Sequence, residues 1–111
     1  MDIENSKAQM RKGVLEYCIL SIISEKDAYA SDIMEKLKEA RLIVVEGTLY
    51  PLMTRLKNDG LLTYRWEESK SGPPRKYYEL TQEGRQCLTE MDESWNDLIH
   101  SVKQITQKNK S

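Results

Sequence analysis

The stretch that decides the fold is residues 46–60, which read Glu46-Gly47-Thr48-Leu49-Tyr50-Pro51-Leu52-Met53-Thr54-Arg55-Leu56-Lys57-Asn58-Asp59-Gly60. Its apolar residues recur at i, i+3, i+4 and i+7, the spacing of one buried helix face, and they are Leu49, Leu52, Met53 and Leu56. Gly60 predicts the end of the helix, because glycine readily takes the left-handed conformation there. The opposite face carries hydroxyl, aromatic, amide and cationic side chains. Such a face can lie in the major groove of DNA.

Pro51 affects where this helix begins. Proline has no backbone N–H and fits comfortably only in the first turn of a helix. We therefore expect the well-formed part of the helix to begin nearer Thr48 than Glu46.

A β-hairpin is predicted directly after the helix. Leu62, Tyr64 and Trp66 alternate with polar residues, which is the period of a half-buried strand. Residues 69–74 then break this strand, and residues 76–80 return as a second one. The predicted hairpin has a tip that is basic on both sides.

Two helices are predicted before the deciding stretch. The first runs from about Lys7 to Ser24 after a capping pattern at Ser6, and its apolar arc is wide enough for it to contact a partner chain. The second runs from about Ala30 to Ala40. The segment of residues 42–45 is too short for a buried helix and is rich in β-branched residues, so it forms either an extended linker or a short strand. Helix, helix, helix and hairpin is the order of a winged helix-turn-helix.

A last helix is predicted from a cap at Thr81 to about Thr106. Its apolar residues are spaced by 3, 4, 3, 4 and 3 positions, which is the heptad seam of a helix that packs lengthwise against other helices. They are Leu88, Met91, Trp95, Leu98, Val102 and Ile105. Since one small domain does not need so long a seam, we expect homodimerisation through this helix.

These elements predict a mainly helical α+β fold, a winged helix-turn-helix with a long C-terminal dimerisation helix. The chain of 111 residues, 39% of them hydrophobic, suits one modest core. We expect residues 1–80 to form the DNA-binding part, with the N-terminal helix also contributing to the dimer interface. Residues 81–111 are expected to form the dimerisation helix of the same structural unit.

Charge is distributed unevenly along the chain. Seventeen Lys and Arg against eighteen Asp and Glu give a net charge of -1, which argues against indiscriminate attraction to nucleic acid. Residues 48–77 nevertheless hold six cations and three anions, whereas residues 81–97 hold one cation and five anions. The positive part therefore coincides with the deciding helix and the hairpin.

The sequence does not favour a membrane protein, a secreted protein, a metalloprotein or an enzyme. The chain has no run of about 18 uncharged apolar residues, and residues 1–4 lack the basic and then apolar order of a secretion signal, so we expect a cytoplasmic protein without a membrane span. Cys18 and Cys87 lie far apart in apolar helical patterns and are predicted to be buried thiols rather than metal ligands. His100 has no serine or cysteine to activate. We expect neither an enzyme nor a cofactor.

At the level of motifs, the sequence resembles the PadR family of bacterial transcriptional regulators. The resemblance is carried by residues 46–56, by Gly60-Leu61-Leu62, by Gly72-Pro73-Pro74-Arg75-Lys76-Tyr77-Tyr78 and by Leu80-Thr81. It implies a dimeric winged-helix repressor that binds a pseudo-palindromic operator on double-stranded DNA and leaves it when a small-molecule effector binds. The alternative is a protein-interaction module with the same winged helix and helical seam but without sequence-specific DNA binding.

The predicted DNA contacts come from two elements. The deciding helix contributes Thr48, Tyr50 and Arg55, and the hairpin contributes Lys70, Ser71, Gly72, Arg75 and Lys76. Arg55 can pair with guanine or with phosphate, and only guanine pairing carries sequence information. Cations and a close backbone in the hairpin suit phosphates or a narrow groove. The alternatives are that Tyr50 packs against the domain and that Lys76 is a solvated strand residue.

Trp95 is the second predicted site. At this position the sequence resembles a multidrug-binding member of the family, whose effectors stack between the subunits. Paired tryptophans near a two-fold axis can hold a planar aromatic effector between them, and we expect Met10 and Tyr17 to line the same space. The alternative, which general residue statistics favour, is that Trp95 only fills the dimer core.

Overall fold

The computed structural model describes residues 2–42 and 44–107. In this part of the chain the elements are α1 (Ile3–Lys12), α2 (Leu15–Glu25), β1 (Ala28–Tyr29), α3 (Ala30–Glu39), α4 (Glu46–Asn58), β2 (Leu62–Ser69), β3 (Gly72–Leu80) and α5 (Gln82–Gln107). The strands form one antiparallel sheet in the order β1-β3-β2. The mainly helical α+β fold with a hairpin and a long last helix is confirmed.

The prediction of one continuous first helix is wrong. The chain instead forms α1 and α2, which separate at Gly13 and Val14. Asp2 rather than Ser6 caps α1, because its carboxylate accepts hydrogen bonds from the backbone N–H groups of Glu4 and Asn5 at 3.1 and 3.2 Å. Since α1 buries none of its residues, no packing in the single chain opposes a break at the helix-weakening glycine.

The core lies between α2, α3, α4 and the sheet. The predicted apolar face of α4 is central to it, because Leu49 and Met53 are fully buried and Leu56 is nearly so, while Leu52 is half-buried at its edge. The largest fully buried side chains of the other two helices are Ile19, Leu20, Ile23, Ile33 and Leu37. Packing of α4 onto this core directs its polar side outward.

The beginning of α4 differs from the prediction. The helix starts at Glu46, and Pro51 lies within it with an exposed ring. The buried residues lie on both sides of Pro51 in the sequence, so packing on the core maintains the helix across a residue that local propensity disfavours. The predicted end is confirmed, because Gly60 has a φ of 81°. Of the preceding segment, Leu42, Val44 and Val45 form no strand, and Ile43 lies outside the described residues.

The hairpin is longer than predicted. Its strands pair from Leu62 opposite Leu80 to Ser69 opposite Gly72, so the turn consists only of Lys70 and Ser71. Pro73 and Pro74 belong to β3, where the register shifts across from residues 67–69. Proline is tolerated at such an irregularity because no ladder hydrogen bond is required of it.

Strand β1 had no counterpart in the sequence patterns. It is two residues long, and its partners on β3 are Tyr78 and Tyr77. This pairing attaches the beginning of α3, which starts at the next residue, to the hairpin.

The predicted cap of α5 is confirmed. The Thr81 hydroxyl accepts a hydrogen bond from the backbone N–H of Gly84 at 2.9 Å and donates one to the carbonyl of Gly60 at 2.7 Å. Cys87, Leu88 and Met91 then pack against the core. The second half of α5 extends past the core, where its apolar residues are exposed.

No helix within residues 2–42 and 44–107 is both long and apolar enough to cross a membrane.

Candidate nucleic-acid interface

Two of the predicted DNA-contacting residues of helix α4, Thr48 and Tyr50, lie on opposite sides of the helix. Thr48 and Tyr50 are two positions apart and therefore about 200° apart around the helix, while Leu49 between them is fully buried. Thr48 is half-buried and Tyr50 is 48% exposed. Each residue lines its own groove beside the helix.

The groove on the Tyr50 side brings predicted residues from separate elements together. It has a volume of about 260 Å³ and lies between α4, the beginning of α3 and the hairpin. Its lining residues are Tyr29, Ala30, Ser31, Tyr50, Trp66, Pro74, Arg75, Lys76 and Tyr78. Tyr50, Arg75 and Lys76 thus share one concave surface, which we call the hairpin groove.

Arg75 is held at the α3 side of the hairpin groove. The carbon at the centre of its guanidinium group lies 4.0 Å from the ring centroid of Tyr29, and a terminal nitrogen donates a hydrogen bond to the Ser31 hydroxyl at 2.5 Å. A cation over an aromatic face is attracted by the negative potential of the ring. The contact orients the guanidinium group while its other N–H groups stay available to a partner.

Lys76 projects from the other face of β3. Its ammonium nitrogen lies 4.6 Å from the ring centroid of Tyr64 and 5.7 Å from that of Trp66. Trp66 is 61% exposed, although its place in an alternating strand predicted that it would be half-buried. Sequence reasoning assigned neither Trp66 nor Ser31 to the site, and only their contacts with the hairpin cations identify them.

The hairpin tip and Arg55 lie outside this groove. Lys70 and Ser71 form the exposed turn, and Gly72, the first residue of β3, lies next to them. Arg55 forms an ion pair with Glu16 of α2, although 64% of the arginine side chain is exposed. Arg55 therefore connects α4 to α2, and a contact with DNA would have to compete with Glu16.

A cation on the face of the hairpin away from the core is paired with neighbouring anions. Arg65 donates a hydrogen bond to Glu67 at 2.8 Å and pairs with Asp27 and Glu79 at 3.4 and 3.5 Å. These carboxylates raise the pKa of Arg65 above its ordinary value, chiefly through the hydrogen bond to Glu67. Arg65 thus contributes little to the positive potential of the hairpin.

The predicted dimerisation residues divide into two groups. Leu88 and Met91 are half-buried against the core of their own chain. Trp95, Leu98, Val102 and Ile105 are exposed by 36, 54, 47 and 69% respectively. The second group forms an apolar stripe on the projecting half of α5, which we call the α5 stripe.

Two of the three predicted effector residues meet at the beginning of the α5 stripe. The ring centroids of Tyr17 and Trp95 lie 6.2 Å apart, and both side chains line a groove of about 150 Å³. The Tyr17 hydroxyl donates a hydrogen bond to the carboxylate of Asp92 at 2.5 Å, and this bond, together with burial, raises the pKa of Tyr17 to about 12. Met10 is 78% exposed and does not line this groove.

The two cysteines lie on separate helices, α2 and α5. Cys18 and Cys87 are free, half-buried thiols, and burial raises the pKa of Cys18. Residues 2–42 and 44–107 contain no group of three or more His, Cys, Asp and Glu side chains that could hold a metal ion.

Comparison with known proteins gives a consistent result. The sequence profile of the transcriptional regulator PadR-like family matches residues 19–90, which is more than half of the chain. A PadR-like transcription factor from Bacteroides fragilis is 63% identical, with a TM-score of 0.77 over 92% of this chain and 99% of that one. A PadR family transcriptional regulator from Eggerthella lenta is 33% identical, with a TM-score of 0.88 over 96% of this chain and 94% of that one.

A curated relative supports the same assignment. A transcriptional regulator of Mycobacterium tuberculosis is 28% identical over 94 residues, which cover 85% of this chain and 87% of the relative. These relatives are regulators of transcription rather than enzymes. The chain therefore belongs to the PadR-like family of transcriptional regulators, whose DNA-binding element is the winged helix-turn-helix described above.

Proposed function

We propose that the chain is a homodimeric repressor that acts in the cytoplasm and binds a pseudo-palindromic operator. The observation that carries the proposal is the hairpin groove, in which Tyr50 of α4 faces the hairpin cations Arg75 and Lys76. A winged helix-turn-helix inserts its recognition helix into the major groove of DNA. In that position α4 meets base edges while the cations of the hairpin meet the adjacent phosphates.

The residues of the interface divide by role. Thr48 and Tyr50 are the proposed base contacts, because a hydroxyl can donate to or accept from a base edge. Arg75 and Lys76 are the proposed phosphate contacts, since aromatic rings orient both cations and phosphates dominate the affinity for DNA. The hairpin tip, made of the turn residues Lys70 and Ser71 and the first residue of β3, Gly72, extends this contact to the flanking backbone or the minor groove.

Lys76→Ala tests the DNA-binding proposal. We expect about 10-fold weaker binding to the promoter of the chain's own or a neighbouring gene, together with a shallower dependence of affinity on salt, because one phosphate contact is lost. Fluorescence anisotropy with a labelled duplex at several salt concentrations measures both quantities. The matched control is Lys36→Ala, since Lys36 is an exposed lysine of α3 that lines neither groove beside α4. An affinity for the promoter that is no higher than for unrelated DNA would favour the interaction-module alternative.

The proposed dimer uses the α5 stripe together with α1. Ile3 and Met10 of α1 are exposed by 58 and 78%, and their spacing of seven places them on the same face of the helix. No residue of helix α1 is fully buried in its own chain. Packing of these apolar surfaces against their copies in a second chain would remove both from water. We accordingly propose residues 1–80 as the DNA-binding part and residues 81–111 as the dimerisation helix of one unit.

The proposed effector is a planar aromatic cation. Trp95 and Tyr17 supply aromatic faces, and the Asp92 carboxylate beside them supplies negative charge. In the dimer two copies of Trp95 would approach each other near the two-fold axis, and Met10 of α1 would complete the lining of the space. Cations bind the faces of aromatic rings, most strongly that of tryptophan.

Tryptophan fluorescence tests the effector site. The chain has two tryptophans, so Trp66→Phe leaves Trp95 as the single tryptophan, whose emission can be excited selectively over that of tyrosine. We expect planar cationic dyes to quench this fluorescence in a saturable manner, because the dye would stack on the indole. Trp95→Phe, which leaves only the hairpin tryptophan, is the control and should show no saturable quenching. Unchanged Trp95 fluorescence would leave this residue with a role in the dimer core alone.

A further inference from the structure

A second groove flanks α4 on the side opposite the hairpin. It has a volume of about 290 Å³ and is bounded by α1, the beginning of α2, the linker before α4 and α4 itself. Its lining residues are Ala8, Arg11, Lys12, Leu15, Leu42, Val44, Val45 and Thr48. Thr48 belongs to this surface, which we call the α1 groove, just as Tyr50 belongs to the hairpin groove.

The charge of the α1 groove is positive. Arg11 and Lys12 line it, and none of its other lining residues is charged. The ion pairs in residues 2–42 and 44–107 involve other cations, namely Lys7, Arg55 and Arg65. Among the described residues, these two cations therefore have no carboxylate partner, and they line the same groove as Thr48.

The two sides of α1 face different environments. Arg11 and Lys12 lie on the side that lines the α1 groove. At about 100° per residue, Ile3 and Met10 lie close to half a helical turn from Ala8 and Lys12 and roughly a quarter of a turn from Arg11, and they are the exposed apolar residues of this helix. The proposed dimer contact of α1 thus leaves its basic side free to meet another partner.

We propose that Arg11 and Lys12 bind the phosphate backbone of the operator on the side of α4 away from the hairpin. The inference rests on the proposed operator binding and extends it. A helix in the major groove, which is about 12 Å wide, has a phosphate backbone on each side. The hairpin cations meet one of these backbones, and the two cations of α1 meet the other. The recognition helix is then fixed in the groove from both flanks.

The salt dependence of binding tests this proposal directly. Each phosphate contact contributes about 0.9 to the slope of log affinity against log salt. In the double variant Arg11→Ala/Lys12→Ala, the fall of log affinity with log salt should therefore be less steep by about 2. Its affinity for DNA at physiological salt should be roughly 10- to 100-fold lower. Because phosphates carry no sequence information, operator and unrelated DNA should be affected alike.

Three comparisons make the result specific. Lys36→Ala is the matched control and should leave the slope unchanged, while Arg11→Lys should retain most of the affinity. Sedimentation of the double variant should show an intact dimer. A weakened dimer would assign the cations to the subunit interface and overturn the proposal, as would a wild-type slope in the double variant.

The control variants also separate this inference from the operator proposal. If Lys76→Ala lowers the slope and Arg11→Ala/Lys12→Ala does not, operator binding stands and the α1 contact is refuted. If the wild-type protein shows no preference for its promoter, operator binding itself fails and the α1 contact fails with it.

Discussion

Leu98→Glu is expected to convert the dimer into monomers and to weaken operator binding by about 100-fold or more. Leu98 is 54% exposed in the single chain and lies in the middle of the α5 stripe. In a two-fold dimer each substitution introduces two carboxylates into the apolar interface. An unpaired charge removed from water costs several kcal/mol, which exceeds what the remaining apolar contacts can compensate. Sedimentation velocity at micromolar concentration measures the oligomeric state.

A matched variant on the same helix controls for charge. Asn96→Glu adds the same negative charge at an exposed position of α5 that lies off the heptad seam. It should sediment as the wild-type dimer and bind DNA with nearly wild-type affinity. A Leu98→Glu protein that still sediments as a dimer would show that the α5 stripe is not the interface.

Gly84→Ala is expected to lower the free energy of unfolding by about 2–4 kcal/mol, since overpacking at a site that cannot relax is among the larger effects of a single substitution. A Cβ atom at Gly84 would lie 2.2 Å from the carbonyl oxygen of Leu61 and 3.0 Å from Cγ of Leu80. The clash involves the backbone, so α5 would have to move away from the core. Chemical denaturation followed by circular dichroism measures the change.

Gly47→Ala is the matched control for this substitution. Gly47 lies in the first turn of α4, and a Cβ atom there would meet nothing within 4 Å. Alanine favours a helix over glycine by up to about 1 kcal/mol, so this variant should be slightly more stable than the wild-type protein. Equal destabilisation by the two substitutions would show that glycine is not needed at position 84 for close packing.

Local patterns of sequence predicted the elements whose ends and faces are set by nearby residues. The buried face of α4 and its end at Gly60 follow from spacing and from the conformational freedom of glycine. The cap at Thr81 is likewise local. In contrast, the break at Gly13 depends on what α1 packs against, and the helical state of Pro51 depends on the core beneath it. Periodicity contains neither kind of information.

The arrangement of the interface depended on contacts that spacing cannot reveal. Arg75 reaches Ser31 across 44 positions of sequence, and Arg55 reaches Glu16 across 39. The short strand β1 brings the first of these pairs together, because it attaches the beginning of α3 to β3. Sequence reasoning therefore named the hairpin cations as candidate DNA contacts but could not find their aromatic and hydroxyl neighbours.

Half-site spacing tests the central claim most directly, namely that two copies of α4 read successive major grooves. Such half-sites are centred one helical turn, or about 34 Å, apart. The protein should bind a duplex with this spacing as two protomers, lose about 100-fold in affinity when half a turn is inserted, and regain affinity when a full turn replaces it. Binding that is equal at every spacing, or that occurs as one protomer per operator, would contradict the account.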